Sequence, residues 1–185
     1  IRILIVKGGY LVKFELVDNG VDSLKFGIEF YEKFMDLEDI YNENNPGYLK
    51  MAIMSIHNTI ELFTKKLLIN VNDLLIFDDE LGNEALLKLF SEQLVRRAQG
   101  RKHIPIDWYL VFTNADVKTI GYRKCIDRLK SIYKLDQRYY NTLEELGSYR
   151  NKLTHFGLDK QLELTPVLLV INDSLELIDT FFYKY

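Results

Sequence analysis

Leu49, Ile53, Ile56, Ile60, Phe63 and Leu67 follow one another at steps of four and three residues. That is the spacing of one face of an α-helix, which turns once in about 3.6 residues, and here it holds for nearly twenty residues. A helix with an unbroken apolar stripe of this length must pack along most of it. A second stripe on the same helix carries His57, Glu61 and Lys65, each four apart, with Asn58 alongside. Such residues form either a surface Glu61–Lys65 pair or a polar face turned towards another helix.

Most of the remaining periodicity is helical as well. Over 16–35, Val17, Val21, Leu24, Ile28, Tyr31 and Met35 make an amphipathic stripe. The Asn/Pro/Gly-rich stretch Asp36–Gly47 has the composition of a turn that ends this helix. Over about 119–133 helical spacing returns with Ile120, Cys125, Ile126, Leu129 and Ile132, and the polar side of this helix is basic. The next helix opens at Asp136 or Gln137 and runs through Leu143, Leu146 and Leu153. A last one, with Thr165 as N-cap and Pro166 at the first position, passes through Leu169, Leu175, Ile178 and Phe182. Gly8-Gly9 divides an apolar start that reads as a hairpin or as the approach to the first helix. Leu74–Phe77 and Trp108–Phe112 read as short strands or extended segments, with a helix over 84–97 between them. The expectation is an all-α, up-and-down helical bundle in one domain, 1–185, with core helices at about 14–69 and 119–185. A less regular insert spans about 70–117.

The 185 residues, 48% hydrophobic, suffice for one sizeable core. Cys125 is the single cysteine, so no intramolecular disulfide forms, and a reducing cytoplasm is the expected location. No apolar run approaches the roughly 20 residues needed to cross a bilayer, so no membrane association is expected. The first residues lack a basic n-region and a cleavage site, which argues against a signal peptide, and the missing initiator methionine implies that the true N-terminus lies elsewhere. The net charge of −3 is uneven: residues 1–92 hold 9 Lys/Arg against 16 Asp/Glu, 93–138 hold 11 against 4, and 139–185 hold 4 against 7. A basic block between acidic ones is either a solvated surface or a track for phosphates.

Chemistry concentrates in Arg150-Asn151-Lys152-Leu153-Thr154-His155. On a helix Asn151 lies about 100° round from Arg150, and His155 sits one turn beyond Asn151. A guanidinium that grips phosphate oxygens is thereby set beside an imidazole that exchanges protons near pH 6.5. Arg150 also falls where the stripe Leu143, Leu146, Leu153 would continue, and a cation on the buried side of a helix needs a partner or a cleft. Glu61 or backbone carbonyls are the structural candidates for that partner. Arg96 and Arg97 also precede a histidine, His103, but across Gly100 and without a following asparagine. His57, His103, His155 and Cys125 show no zinc-ligand spacing, so neither a metal nor any other cofactor is expected.

Arg150-Asn151-x-x-x-His155, followed by Phe156-Gly157 and a terminal apolar helix, resembles the signature of the HEPN superfamily (higher eukaryotes and prokaryotes nucleotide-binding domains). That signature is an arginine, commonly followed by a polar residue, four to six residues ahead of a histidine. Ile56-His57-Asn58-Thr59-Ile60-Glu61-Leu62, with Lys65, resembles the early core helix of such domains. The resemblance covers about 14–69 and 119–185. It implies a dimer in which both copies of the motif face one cleft. Many members are metal-independent endoribonucleases, often toxins or phage-defence factors, and others are inactive modules binding nucleotide, RNA or protein. Carried over, Arg150 and His155 take the catalytic positions and Asn151 the polar one. A toxin–antitoxin setting would add an antitoxin or regulatory protein as partner. Members modified by a nucleotidyltransferase carry tyrosine two residues after the histidine, where this chain has Gly157.

RNA cleavage by the 2′-hydroxyl needs a base, an acid and positive charge at the phosphorane. A two-fold dimer would supply two His155 imidazoles and two Arg150 guanidiniums. Arg123, Lys124, Arg128 and Lys152 are expected to follow the RNA backbone, His57 and Glu61 to support the site, and Tyr139, Tyr140 and Tyr149 to stack on bases.

Overall fold

The protein is described by a computed structural model covering residues 15–36, 46–78, 91, 95, 98–100, 118–155 and 163–185. Within these residues the architecture is an all-α helical bundle: α1 (Leu16–Met35), α2 (Pro46–Val71), α3 (Tyr122–Tyr133), α4 (Gln137–His155) and α5 (Leu164–Leu177). A 3-10 turn, Asp73–Ile76, follows α2, and a π turn, Ile178–Phe182, continues α5. The Gly8-Gly9 segment, Trp108–Phe112, His103 and most of 84–97 lie outside the described residues.

α2 is the central element and packs on α1, α3, α4 and α5. Its stripe is buried as the spacing requires, with Ile53, Ile56 and Ile60 at 0–1% exposure. Ala52, Thr59, Thr64 and Leu68 are closed off as well, so the helix is covered on more than one side. The helix opens at Pro46, inside the stretch read as a turn. Proline suits a first helical position because its missing N–H would have no intrahelical partner there.

α1 meets α2 differently from the sequence expectation. Val17, Ile28 and Met35 remain 38–42% exposed, while Gly20, Gly27 and Phe34 are the buried residues. A Cβ on Gly20 would sit 2.6 Å from Phe63 Cε1, and one on Gly27 would sit 2.9 Å from Ile56 Cγ1. The two glycines, seven residues apart, let the backbones approach closely enough for Thr59 Oγ1 to donate to the Gly20 carbonyl at 3.3 Å. The apolar stripe of α1 is left flanking this contact, where it lines an open groove with Phe63, Leu67 and the end of α5.

Leu74–Ile76 is a 3-10 turn and not a strand, and Phe77 makes a single antiparallel bridge to Thr119. Asp78 N–H donates to the Lys118 carbonyl (3.1 Å) and Ile120 N–H to the Ile76 carbonyl (2.9 Å). The flanks of segment 79–117 are thus joined at one point, over a small core of Leu68, Ile76, Phe77, Ile120 and Cys125. α3 ends at Lys134, whose φ of 56° is left-handed, and Asp136 then caps α4 by accepting the Arg138 N–H at 2.7 Å. α5 begins at Leu164, ahead of the expected Thr165 cap. Pro166 falls within the first turn, where N–H groups have no intrahelical acceptor anyway. Val167, Val170, Ile171, Ser174 and Leu177 face the core, and Leu169, 58% exposed, faces solvent. No described helix is long and apolar enough to cross a membrane.

Candidate functional site

A groove of about 780 Å³ runs where α2, α3 and α4 meet. α2 contributes His57 and Glu61, the start of α3 contributes Gly121 to Lys124, and α4 contributes Glu144, Gly147, Ser148, Arg150, Asn151 and Lys152. Asp78, beside the bridge, completes one wall.

The groove is built around Tyr122. Its ring stacks on His57 with centroids 3.8 Å apart and planes 22° from parallel, and its hydroxyl donates to the Leu143 carbonyl at 3.0 Å. On α4, Gly147 leaves room for the ring, since a Cβ there would stand 3.0 Å from Tyr122 Cε1. His57 and Tyr122 are 7% and 9% exposed and form the groove's floor. Burial, with the Arg150 charge adding to it, lowers the His57 ring from 6.5 to about 4, so it is neutral at physiological pH. Burial likewise pushes the Tyr122 phenol well above its ordinary value. Neither group is an acid or base suited to neutral pH.

The polar stripe of α2 divides. His57 and Glu61 face the Arg150 helix, whereas Asn58 donates to Ser23 on α1 at 2.7 Å. Lys65 pairs with Glu61 at 2.7 Å and donates to Thr119 Oγ1 at 3.3 Å. The Glu61–Lys65 pair exists but is largely enclosed, the lysine side chain being 11% exposed.

The basic face of α3 is engaged within the protein. Arg128 donates to the carbonyls of Leu75 (2.6 Å) and Phe77 (3.0 Å), clamping the 3-10 turn onto α3. Lys124 pairs with Asp78, and Arg123 pairs with Glu144 and reaches Asp127 at 3.5 Å. Lys130 bonds Gln137 and lies 4.0 Å from the Tyr140 ring centroid. Tyr140, 8% exposed, donates to Asp127, which with burial pushes its phenol up to about 12; a ring so enclosed is not open to a base. Tyr139 bonds Glu176 at 3.3 Å, and Tyr149 lies under Lys152.

Arg150 is half-buried, and its Nη1 donates to Asn151 Oδ1 at 3.1 Å. Asn151 therefore orients the guanidinium. Glu61, one of the candidate partners for Arg150, pairs with Lys65. Among the described residues neither Arg150 nor Lys152 has a carboxylate within ion-pair distance. His155 is the last residue of α4, one turn beyond Asn151 and, at 1.5 Å per residue, about 7.5 Å along the axis from Arg150.

Cys125 is fully buried, and burial pushes its thiol up to about 12, so it is no nucleophile. No cluster of three or more His, Cys, Asp or Glu suited to a metal occurs among the described residues. The sequence reading missed Tyr122, Gly121, Asp78 and Glu144. Their roles arise from partners distant along the chain, and no local spacing signals them. Comparison with known proteins finds no matching family model, curated protein or solved structure.

Proposed function

We propose that the protein is a metal-independent endoribonuclease whose Arg150, Asn151 and His155 act at a site shared by two copies of the chain. The observation that carries this reading is Arg150: a guanidinium half-buried in a groove, held by Asn151, with Lys152 beside it and, among the described residues, no carboxylate to neutralise it. A cation in that setting favours an anionic ligand, and its planar fork suits two phosphate oxygens. His155, on the same helix, is the proton-transfer group. His57 is kept neutral by its burial and serves to hold Tyr122.

In the reaction one His155 removes the 2′-hydroxyl proton and the oxygen attacks the adjacent phosphorus. The partner copy's histidine protonates the departing 5′-oxygen, and Arg150 bears on the non-bridging oxygens as charge builds there. The products are a 2′,3′-cyclic phosphate and a 5′-hydroxyl. A role in stress response or phage defence, in the cytoplasm and with an antitoxin or regulatory protein as partner, fits such an activity.

The test is cleavage of single-stranded RNA in EDTA by the parent, His155→Ala and Arg150→Ala proteins. Loss of the histidine should slow cutting roughly 10²–10⁴-fold. Specific activity should also fall on dilution as the dimer separates. RNA binding without cutting in the parent would replace this reading with that of an inactive HEPN-like binding module, and absence of both would end it.

A further inference from the structure

The groove contains a second arrangement, which shares Arg150 with the proposed cleavage site. α3 begins at Gly121 (φ −81°, ψ 173°) with no side-chain cap, so among the described residues the Tyr122 and Arg123 N–H groups at its start lack a capping acceptor, and this end of the helix lines the groove. Stacked on Tyr122 and lining the same groove is His57, 7% exposed, with no hydrogen-bond partner for either ring nitrogen among the described residues. Arg150 lines the groove as well, near enough for its charge to act on the His57 ring. The groove's carboxylates are engaged already, Glu61 with Lys65, Asp78 with Lys124 and Glu144 with Arg123. Backbone donors carrying the positive end of a helix dipole, a planar cation and an unpartnered neutral imidazole together present donors, with no unpaired carboxylate among the described residues of the groove.

We propose that the start of α3, Arg150 and His57 form a receptor for one phosphate monoester group, carried by a mononucleotide or by the end of an oligonucleotide. A monoester offers three unesterified oxygens, one each for the helix N–H groups, the guanidinium and the imidazole N–H, whereas a diester within a chain offers two. This goes beyond the cleavage proposal and shares only Arg150 with it.

Gly121 supplies a decisive variant. A Cβ there meets nothing within 4 Å and the backbone is extended, so Gly121→Asp is accommodated and its carboxylate caps α3 in the place the phosphate would take. Calorimetric titration with inorganic phosphate, a 5′-mononucleotide, the matching nucleoside, and a short DNA oligonucleotide with and without a 5′-phosphate reads the site directly. Phosphorylated ligands should bind at least tenfold tighter than their unphosphorylated counterparts. Preference between the mononucleotide and the 5′-phosphorylated oligonucleotide tells which of them carries the group. Gly121→Asp should lose that binding with a melting temperature equal to or above the parent's, and Gly121→Ser, a neutral cap, should weaken it less. His57→Phe, which keeps the stack on Tyr122, and Arg150→Gln should each weaken binding, while His155→Ala should bind as the parent does. Phosphate binding that is absent from the parent, or unaffected by Gly121→Asp, overturns the proposal. Phosphate binding in a parent that cuts no RNA would remove the cleavage reading alone, and cleavage that persists without phosphate binding would remove this one alone.

Discussion

The lowered His57 ring makes the stability of the fold depend on pH in a way that one substitution should abolish. Below pH 6.5 the unfolded chain's imidazole takes up a proton that the folded ring refuses until about pH 4. There is no cost above pH 6.5, and stability is lost progressively as the pH falls through that window. At about 1.36 kcal/mol per pH unit, the full difference is about 3 kcal/mol, of which about 2 kcal/mol is lost between pH 7.5 and 5. The groups around the ring are Tyr122, which stays neutral throughout, the Arg150 guanidinium, and Glu61 one turn along α2. His57→Phe preserves an aromatic ring against Tyr122 and removes the titration. Urea unfolding at pH 7.5 and pH 5 should therefore show the parent losing about 2 kcal/mol more than His57→Phe, a difference of about 1 M in midpoint for an m-value of roughly 2 kcal/mol/M. Arg150→Gln, which removes the lesser cause, should shrink the loss without eliminating it. Equal pH dependence in parent and His57→Phe would refute the burial of an unpartnered ring on which this site is built.

Gly27→Ala and Gly47→Ala make the same chemical change in two helices and should differ in sign. The first sets a methyl 2.9 Å from Ile56 Cγ1 and 3.4 Å from the Ile56 backbone nitrogen, so overpacking of about 1–3 kcal/mol outweighs the ~1 kcal/mol helical preference for alanine; the second meets nothing within 4 Å and keeps part of that preference. Denaturant unfolding decides it, and a Gly27→Ala protein as stable as its parent would contradict the close α1–α2 approach. Arg128→Met should remove the clamp on the Leu75 and Phe77 carbonyls, cost about 2 kcal/mol, and speed hydrogen exchange at the Asp78 and Ile120 amides without weakening RNA binding. Lys152→Ala should show the opposite pattern, with unchanged stability and weaker RNA binding.

The helices were legible because their apolar periods are long and their ends carry chemical signals: the stripe from Leu49 to Leu67, and Asp136 ahead of α4. What periodicity could not supply was which face would be buried. On α1 the large apolar side chains suggested the contact, yet two glycines make it, because backbone proximity to α2 contributes more than bulk at that crossing. Leu169 was misread for a related reason: α5 is apolar over most of its circumference, so spacing alone leaves its rotation undetermined. Leu74–Phe77 is short enough that a strand and a 3-10 turn look alike in sequence, and Arg128, fifty residues on, settles which forms. At the site, Arg150 was conspicuous as a cation interrupting an apolar stripe. The basic block of α3 was conspicuous too, but charge counts do not reveal that Asp78, Glu144 and two carbonyls await those cations.

That interruption has an energetic consequence. Leu143, Leu146 and Leu153 are 0–5% exposed, and position 150 lies on the same side of α4, half-buried. A guanidinium there gives up part of its hydration, with Asn151 as its hydrogen-bonding partner and, among the described residues, no carboxylate in return, and it also lowers the His57 ring. Methionine has a similar reach, no charge and a good helical propensity. Arg150→Met should therefore leave the fold as stable as the parent or more stable by about 1 kcal/mol, while RNA and phosphate binding fall at least tenfold. Unfolding in urea gives the first quantity and titration the second. A variant destabilised by more than about 1 kcal/mol would mean that Arg150 holds the bundle together, and a cation that stabilises its own fold gives no reason to look for an anion in the groove.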